Sequence, residues 1–509
     1  MAKGGRADLL AVCLVSNPLV QLKGVQLRAN QNENKLLYVA AKAGHADVCK
    51  LLMDPEEAGL EFRARANSSY SLALVEAANE GHSDVCKLLM VPQVVGLEYR
   101  AQANSSDSSA LWAAAKAGHT DVCKLLMDPE VAGMEFRARA NTRDSWALWA
   151  AAREGHEDVC KLLMDPAVAG MEFRALANSR DSSALWAAAK AGHTDVCKLL
   201  MDPEVAGIEF RARANSSDSW ALCAAAKEGH ADVCKLLMDP TVAGLEFRGL
   251  ANTSASWALW AAAKEGHADV CKLLMDPEVA GIEFRARANS SDSMALWAAA
   301  KEGHSDVCKL LMDPEVAGFE FRARANSSFS WNLCAAANDG HADVCKLLMD
   351  PEVDGLDFRA RANNSDSMAL RWAAKDGHAD VCKLLMDPAV AGIEFRARAN
   401  SSDSRALREA AKAGHADVCK LLMDPEVAGI EFRARANSVN SLALREAANA
   451  GHADVCKLLM DPDAAGPEYR AIVNIDSSWI LPPDNKFLDR SLRCVVGTSI
   501  GDGEDDNQC

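Results

Sequence analysis

His267 and Cys271 stand four residues apart in the stretch KEGHADVCKLLMDP, Lys264 to Pro277, and the same fourteen letters recur at Lys227 to Pro240. A four-residue separation puts both side chains on one helix face, and imidazole with thiolate is a pair that zinc sites and cysteine nucleophiles both use. The chemistry these residues can do depends on how many partners reach them. Every histidine of the chain, twelve from His45 to His452, lies 37 residues from the next. A fixed period of about 20 to 50 residues is the mark of a stacked array, in which equivalent side chains sit about one helix diameter apart, roughly 8 to 10 Å. Zinc ligands must come within about 2.0 to 2.3 Å of the ion, so adjacent units cannot share one, and a single unit offers only two ligands. The pair therefore reads as packing. A repetitive metal-binding protein remains the weakest of three functional readings.

The elements that position these residues follow from one unit, 219 to 255, SWALCAAAKEGHADVCKLLMDPTVAGLEFRGLANTSA. ALCAAAK forms a helix that ends before Gly229. HADVCKLLM forms a second, with Val233, Cys234, Leu236 and Leu237 on one apolar face and Asp232 near its positive end. The following GLEFRGL alternates in the manner of a strand, and an Asn-Ser-Ser-Asp type turn closes the unit. The expected unit is thus helix, helix, extended hairpin, in an all-α solenoid.

These residues resemble the ankyrin repeat family, whose roughly 33-residue unit reads T-P-L-H-x-A-A, then Gly-His, then a Val-x-x-Leu-Leu helix and a hairpin. Ser109-Ala110-Leu111-Trp112-Ala113-Ala114-Ala115 stands where T-P-L-H-x-A-A falls, and Gly118-His119-Thr120-Asp121-Val122 opens the second helix. The units run longer than the family's by residues placed in the Met-Asp-Pro-Glu-Val connection and in the hairpin, both read as loops. The resemblance covers about residues 31–470 as twelve units, with 1–30 as a degenerate capping half-repeat and 471–509 as a C-terminal cap and acidic tail. It implies a non-enzymatic scaffold that binds a protein partner on the concave face. The runner-up is a structural spacer or elastic solenoid without a specific ligand.

Composition bounds the remaining classes. With net charge −17 and pI near 5.2, no nucleic acid or anionic membrane is expected as a partner. No apolar run spans a bilayer, and the N-terminal apolar stretch, interrupted by Asp8 and ended at Asn17-Pro18, is not read as a signal peptide. The repeated cysteines are spaced too far for disulfides, whose Cα atoms lie about 4.4 to 6.8 Å apart, so they read as buried reduced thiols of a cytoplasmic or nuclear protein. The sequons at Asn104 and Asn215 and their equivalents are then by-products of the turn. No catalytic constellation is visible, since each candidate base recurs in one environment, and the non-repeat cysteines (Cys13, Cys223, Cys334, Cys494, Cys509) are scattered. No cofactor is expected, and the chain is read as a monomer.

What varies carries the binding hypothesis. Ten residues before the histidines stand, among others, Trp146, Trp220, Trp257, Trp331 and Arg405, and seven before stand, among others, Trp112, Trp149, Trp186, Trp260, Trp297, Arg371, Arg408 and Arg445. Columns three apart share one side of the first helix. These thirteen residues are the candidate partner-binding set, against the reading that the tryptophans fill space between repeats. The hairpin arginines, such as Arg137 and Arg139, could grip an acidic chain or be neutralised by the Glu before each Phe.

Overall fold

The computed structural model describes residues 34–54 and 63–472, and these form two compact units. One runs to Ser254 and includes Pro277–Arg285; the other comprises Ala255–Asp276 and the residues from Ala286 on. The caps expected at 1–30 and 471–509 lie outside the described residues but for 471 and 472.

Each unit stacks copies of one motif, for which Ser179–Gly207 serves as the type. The first helix, Ser179–Ala191, ends at Gly192 in the left-handed region (φ 82), which leaves its terminal carbonyls for other partners. The second, Thr194–Met201, buries Val196, Cys197, Leu200 and Met201 at 0–1% exposure. The first helices contribute Leu185 and the small Ala184, Ala187, Ala188 and Ala189, and the alanines let neighbouring first helices approach closely. Burial of this kind stabilises by roughly 1.5 to 3 kcal/mol for each large side chain, before the entropy of ordering is set against it.

Two parts of the motif differ from the reading of the sequence. The Met-Asp-Pro connection is a one-turn helix, Pro203–Ala206, in which Asp202 accepts a hydrogen bond from the Glu204 amide at 2.8 Å and Pro203 takes the first helical position. The segment expected as an extended hairpin forms no strand among the described residues. After Gly207 the chain turns, with the Phe210 and Arg211 amides both donating to the Gly207 carbonyl and the Ala212 amide to Leu200 of the second helix. The alternation of GIEFRAR is real, but it does not mark the two faces of a sheet: Ile208 is exposed, Phe210 meets Arg174 of the preceding repeat, and Arg211 and Arg213 meet Phe247 of the next.

The Asn-Ser-Arg-Asp tip is a left-handed turn. Arg180, Asp181 and Ser182 have φ of 44°, 54° and 62°. This geometry costs an L-residue roughly 1 to 2 kcal/mol, and it is offset by what it delivers: Ser182 is buried and its Oγ accepts from the Arg213 amide of the next repeat at 2.9 Å. At Val439 a β-branched, half-exposed side chain sits at φ 48 in the same turn. Val439→Gly is expected to raise the denaturation midpoint by the equivalent of about 1 kcal/mol, whereas Ser441→Ala, which removes the acceptor for the Ile472 amide, lowers it. A midpoint lowered by Val439→Gly, or left unchanged by Ser441→Ala, would mean that the turn is not formed as described.

Candidate functional site

The histidines have a structural occupation. His230 Nε2 donates to the Lys190 carbonyl of the preceding repeat at 3.1 Å, and the ring lies against Gly192 so closely that a Cβ there would fall 2.7 Å from it. A carbonyl only accepts, so Nε2 carries the proton. No group of three or more His, Cys, Asp or Glu among the described residues is placed to hold a metal ion. The Cys123 and Cys197 thiols form no disulfide, and burial pushes both up to about 12. A thiol so raised is a poor nucleophile at neutral pH.

The other repeated polar residues also join repeat to repeat. Asn215 Nδ2, the atom a sequon glycan would occupy, donates to the Glu246 carbonyl at 2.7 Å, and the Asn215 amide donates to the Phe247 carbonyl. The arginine strip is taken up by stacking, which neither reading of it foresaw. Arg137 and Arg139 both lie over the Phe173 ring, at 4.9 and 4.8 Å from its centroid. In the second unit one arginine does more: Arg322 pairs with Asp354 at 2.6 Å, where most other repeats carry Ala, and Asp354 also accepts from the Ala325 amide. Burial outweighs these partners and holds the Asp354 carboxyl above the usual carboxylate range.

The two variable columns separate. The residues seven before each histidine, Trp112, Trp149, Trp186, Trp260 and Trp297, are half-buried. Those ten before it are open, from Trp146 at 36% and Trp331 at 44% through Trp257 at 49% to Trp220 at 64% exposure. Trp112 packs on Trp146 of the following repeat at 5.1 Å, and Trp257 on Trp260 at 4.5 Å. In the first unit Trp146, Trp149, Trp186 and Trp220 line a groove of about 380 Å³ together with Arg143 and Arg180 from the left-handed turns. Those arginines pair with Asp107 at 2.8 Å and Asp144 at 3.6 Å, each an acid of the preceding turn. In the second unit Trp297 and Trp331 line a recess of about 370 Å³ with Met294.

The arginine end of the columns is less basic than the residue types alone imply. Arg405 and Arg408 flank Glu409 at 3.7 and 3.5 Å, Arg371 is half-buried, and Arg445 is exposed. Burial first, and Arg405 second, hold the Arg371 guanidinium below its ordinary pKa. Sequence reasoning missed Trp372, which packs edge-on to Trp331 at 5.5 Å, because it stands one place beyond the column. It missed the buried serine column as well, although a Ser eleven residues before each histidine from His82 on was there to be seen.

A stack of helix-turn-helix units tied by backbone-directed side chains, with its variable residues gathered on the first helices, defines a helical solenoid of the repeat-protein class. A family model for ankyrin repeats in three copies matches residues 74–173, 169–248 and 248–325. The chain is an ankyrin repeat protein. Among curated proteins none matches its sequence. No helix among the described residues is long and apolar enough to cross a membrane.

Proposed function

We propose that the chain is a non-enzymatic scaffold of the cytoplasm or nucleus that binds a protein partner along the concave face to which the first helices contribute. Ankyrin repeats in general mediate protein–protein interaction. The observation that carries the reading here is the groove of Trp146, Trp149, Trp186 and Trp220, whose most open member exposes 64% of its surface. Tryptophan beside arginine is the composition enriched at interface hot spots. The candidate set divides on this reading: the half-buried Trp149 and Trp186 build the floor, and Trp146 and Trp220 supply the contacts. Trp257, Trp260, Trp297 and Trp331 play the same parts in the second unit, and Arg371, Arg405, Arg408 and Arg445 offer a polar margin.

A partner captured on the full chain should bind Trp146→Ser and Trp220→Ser together at least roughly tenfold more weakly, with the melting temperature unchanged. Trp149→Ser should instead lower thermal stability. If the captured partner binds the Trp146 and Trp220 variant with unaltered affinity, this face is not where it docks.

A further inference from the structure

The sites already described leave one surface unexplained. In the first unit the residue that follows each turn glycine is Leu97, Met134, Met171, Ile208, Leu245 and Ile282, and these expose 73–79% of their surface. The second unit carries four more from Phe319 to Ile430, at 70–81%. Packing does not account for an apolar residue there, because little of the side chain is covered. An isolated exposed Leu is ordinary; an apolar residue at the same exposed place in successive repeats is not.

The tips stand in a row because each is seated on the repeat before it. A Cβ on Gly170 would lie 2.8 Å from the Arg137 guanidinium, and one on Gly244 would lie 2.8 Å from Arg211. Successive tips are therefore separated by about the distance between packed helices, roughly 8 to 10 Å.

Their charge is one-sided. From Pro203 to Glu209 every residue is uncharged or acidic, with Glu204 and Glu209 exposed on either side of Ile208. The same holds around Met134, between Glu130 and Glu135. The nearest bases lie beneath the tips, Arg211 half-buried and Arg213 exposed over the Phe247 ring at 4.8 and 4.9 Å, and the tip segments themselves present only carboxylates.

We propose that this row of turn tips is a second docking surface, distinct from the tryptophan groove, and that its occupant is a basic amphipathic helix of a partner protein. An apolar row beside carboxylates complements a helix whose apolar stripe is flanked by Lys or Arg. Seven helical residues advance about 10.5 Å, so a side chain every second turn meets one tip per repeat. The same carboxylates oppose the other candidates: a second copy would set acid against acid, and an anionic lipid surface would be repelled.

The test uses the full chain and a synthetic helical peptide of Leu and Lys, with Leu along one face, and a matched peptide in which Glu replaces Lys. The Lys peptide should bind, more weakly as salt is raised, and the Glu peptide should not. Met134→Ser, Met171→Ser, Ile208→Ser and Leu245→Ser combined should weaken binding at least roughly tenfold at unchanged melting temperature, because exposed side chains hold little of the fold. Glu135→Lys, Glu172→Lys and Glu209→Lys combined should transfer preference to the Glu peptide. Trp146→Ser with Trp220→Ser should leave Lys-peptide binding intact, which separates this surface from the groove. Failure of the Lys peptide to bind, equal binding by the tip variant, or loss of binding only in the tryptophan variant overturns the proposal. So does a dimer of the wild type, or binding to phosphatidylglycerol vesicles, that the tip variant lacks.

Discussion

Raised above pH 9, the array should lose stability by about 1.4 kcal/mol per pH unit for each buried thiol in the segment that unfolds. The sign follows from the two states. In the folded chain burial pushes the Cys86, Cys123 and Cys197 thiols up to about 12 and raises Cys160 as well. In the unfolded chain a thiol titrates near about 8.5. Between these values the native state holds a proton that the unfolded state has released, so stability is complete below the lower value and falls as pH rises towards the upper one. Three repeats opening together, with Cys123, Cys160 and Cys197, lose about 4 kcal/mol per pH unit, and two units of pH consume most of the roughly 5 to 15 kcal/mol a folded domain has. Denaturant midpoints measured from pH 7.5 upward in the wild type and in Cys123→Ala, Cys160→Ala, Cys197→Ala give the contrast. The variant begins less stable, because small cavities open, but its decline with pH should be shallower. Parallel declines would show that these thiols titrate in the folded state as they do in the unfolded one. The same burial leaves native thiols slow to react with a thiol reagent at neutral pH.

What could be read in the sequence was whatever repeats at a period of its own. Leu185, Cys197 and Leu200 announce the two main helices because helical spacing and the 37-residue register agree on which face is apolar. The Asp202-Pro203 pair carried the signature of a helix start, and it was passed over because a single turn is too short for periodicity to register. Phe210 and Arg211 misled for a different reason. Their alternation reflects contacts with other repeats, Arg174 over Phe210 at 4.7 Å and Arg211 over Phe247 at 4.8 Å, and a pattern of period two does not say whether its second face meets a strand or a guanidinium. The tryptophan columns were legible as one side of a helix. Their division into a half-buried row at Trp149 and Trp186 and an open row at Trp146 and Trp220 was not, since neighbouring repeats decide it. The exposed tips were invisible for the same reason: hydrophobicity at Ile208 reads as core until its surroundings are known.

Gly192→Ala should cost about 2 to 4 kcal/mol, and the His230 ring should account for more than half of it. Two terms combine. The backbone stands at φ 82, where an alanine is strained by about 1 kcal/mol or somewhat more. The added Cβ would also fall 2.7 Å from His230, whose ring is held by its hydrogen bond to the Lys190 carbonyl at 3.1 Å and does not swing away without losing it. Overfilling a packed site of this kind adds about 1 to 3 kcal/mol. Gly451 isolates the first term: it has φ 86 and no described atom within 4 Å of its would-be Cβ, so Gly451→Ala should cost only about 1 kcal/mol. A double-variant cycle isolates the second. His230→Ala alone loses the bond to Lys190, worth about 1 kcal/mol, together with the ring's packing. With the ring gone the Cβ of Gly192→Ala has room, so the two losses should fall short of their sum by about 1 to 3 kcal/mol. Chemical denaturation of the four chains measures this directly. Additive losses, with Gly192→Ala no worse than Gly451→Ala, would mean that the histidine ring does not rest on the glycine of the preceding repeat, and the invariance of the Gly-His pair through this array would then need another cause.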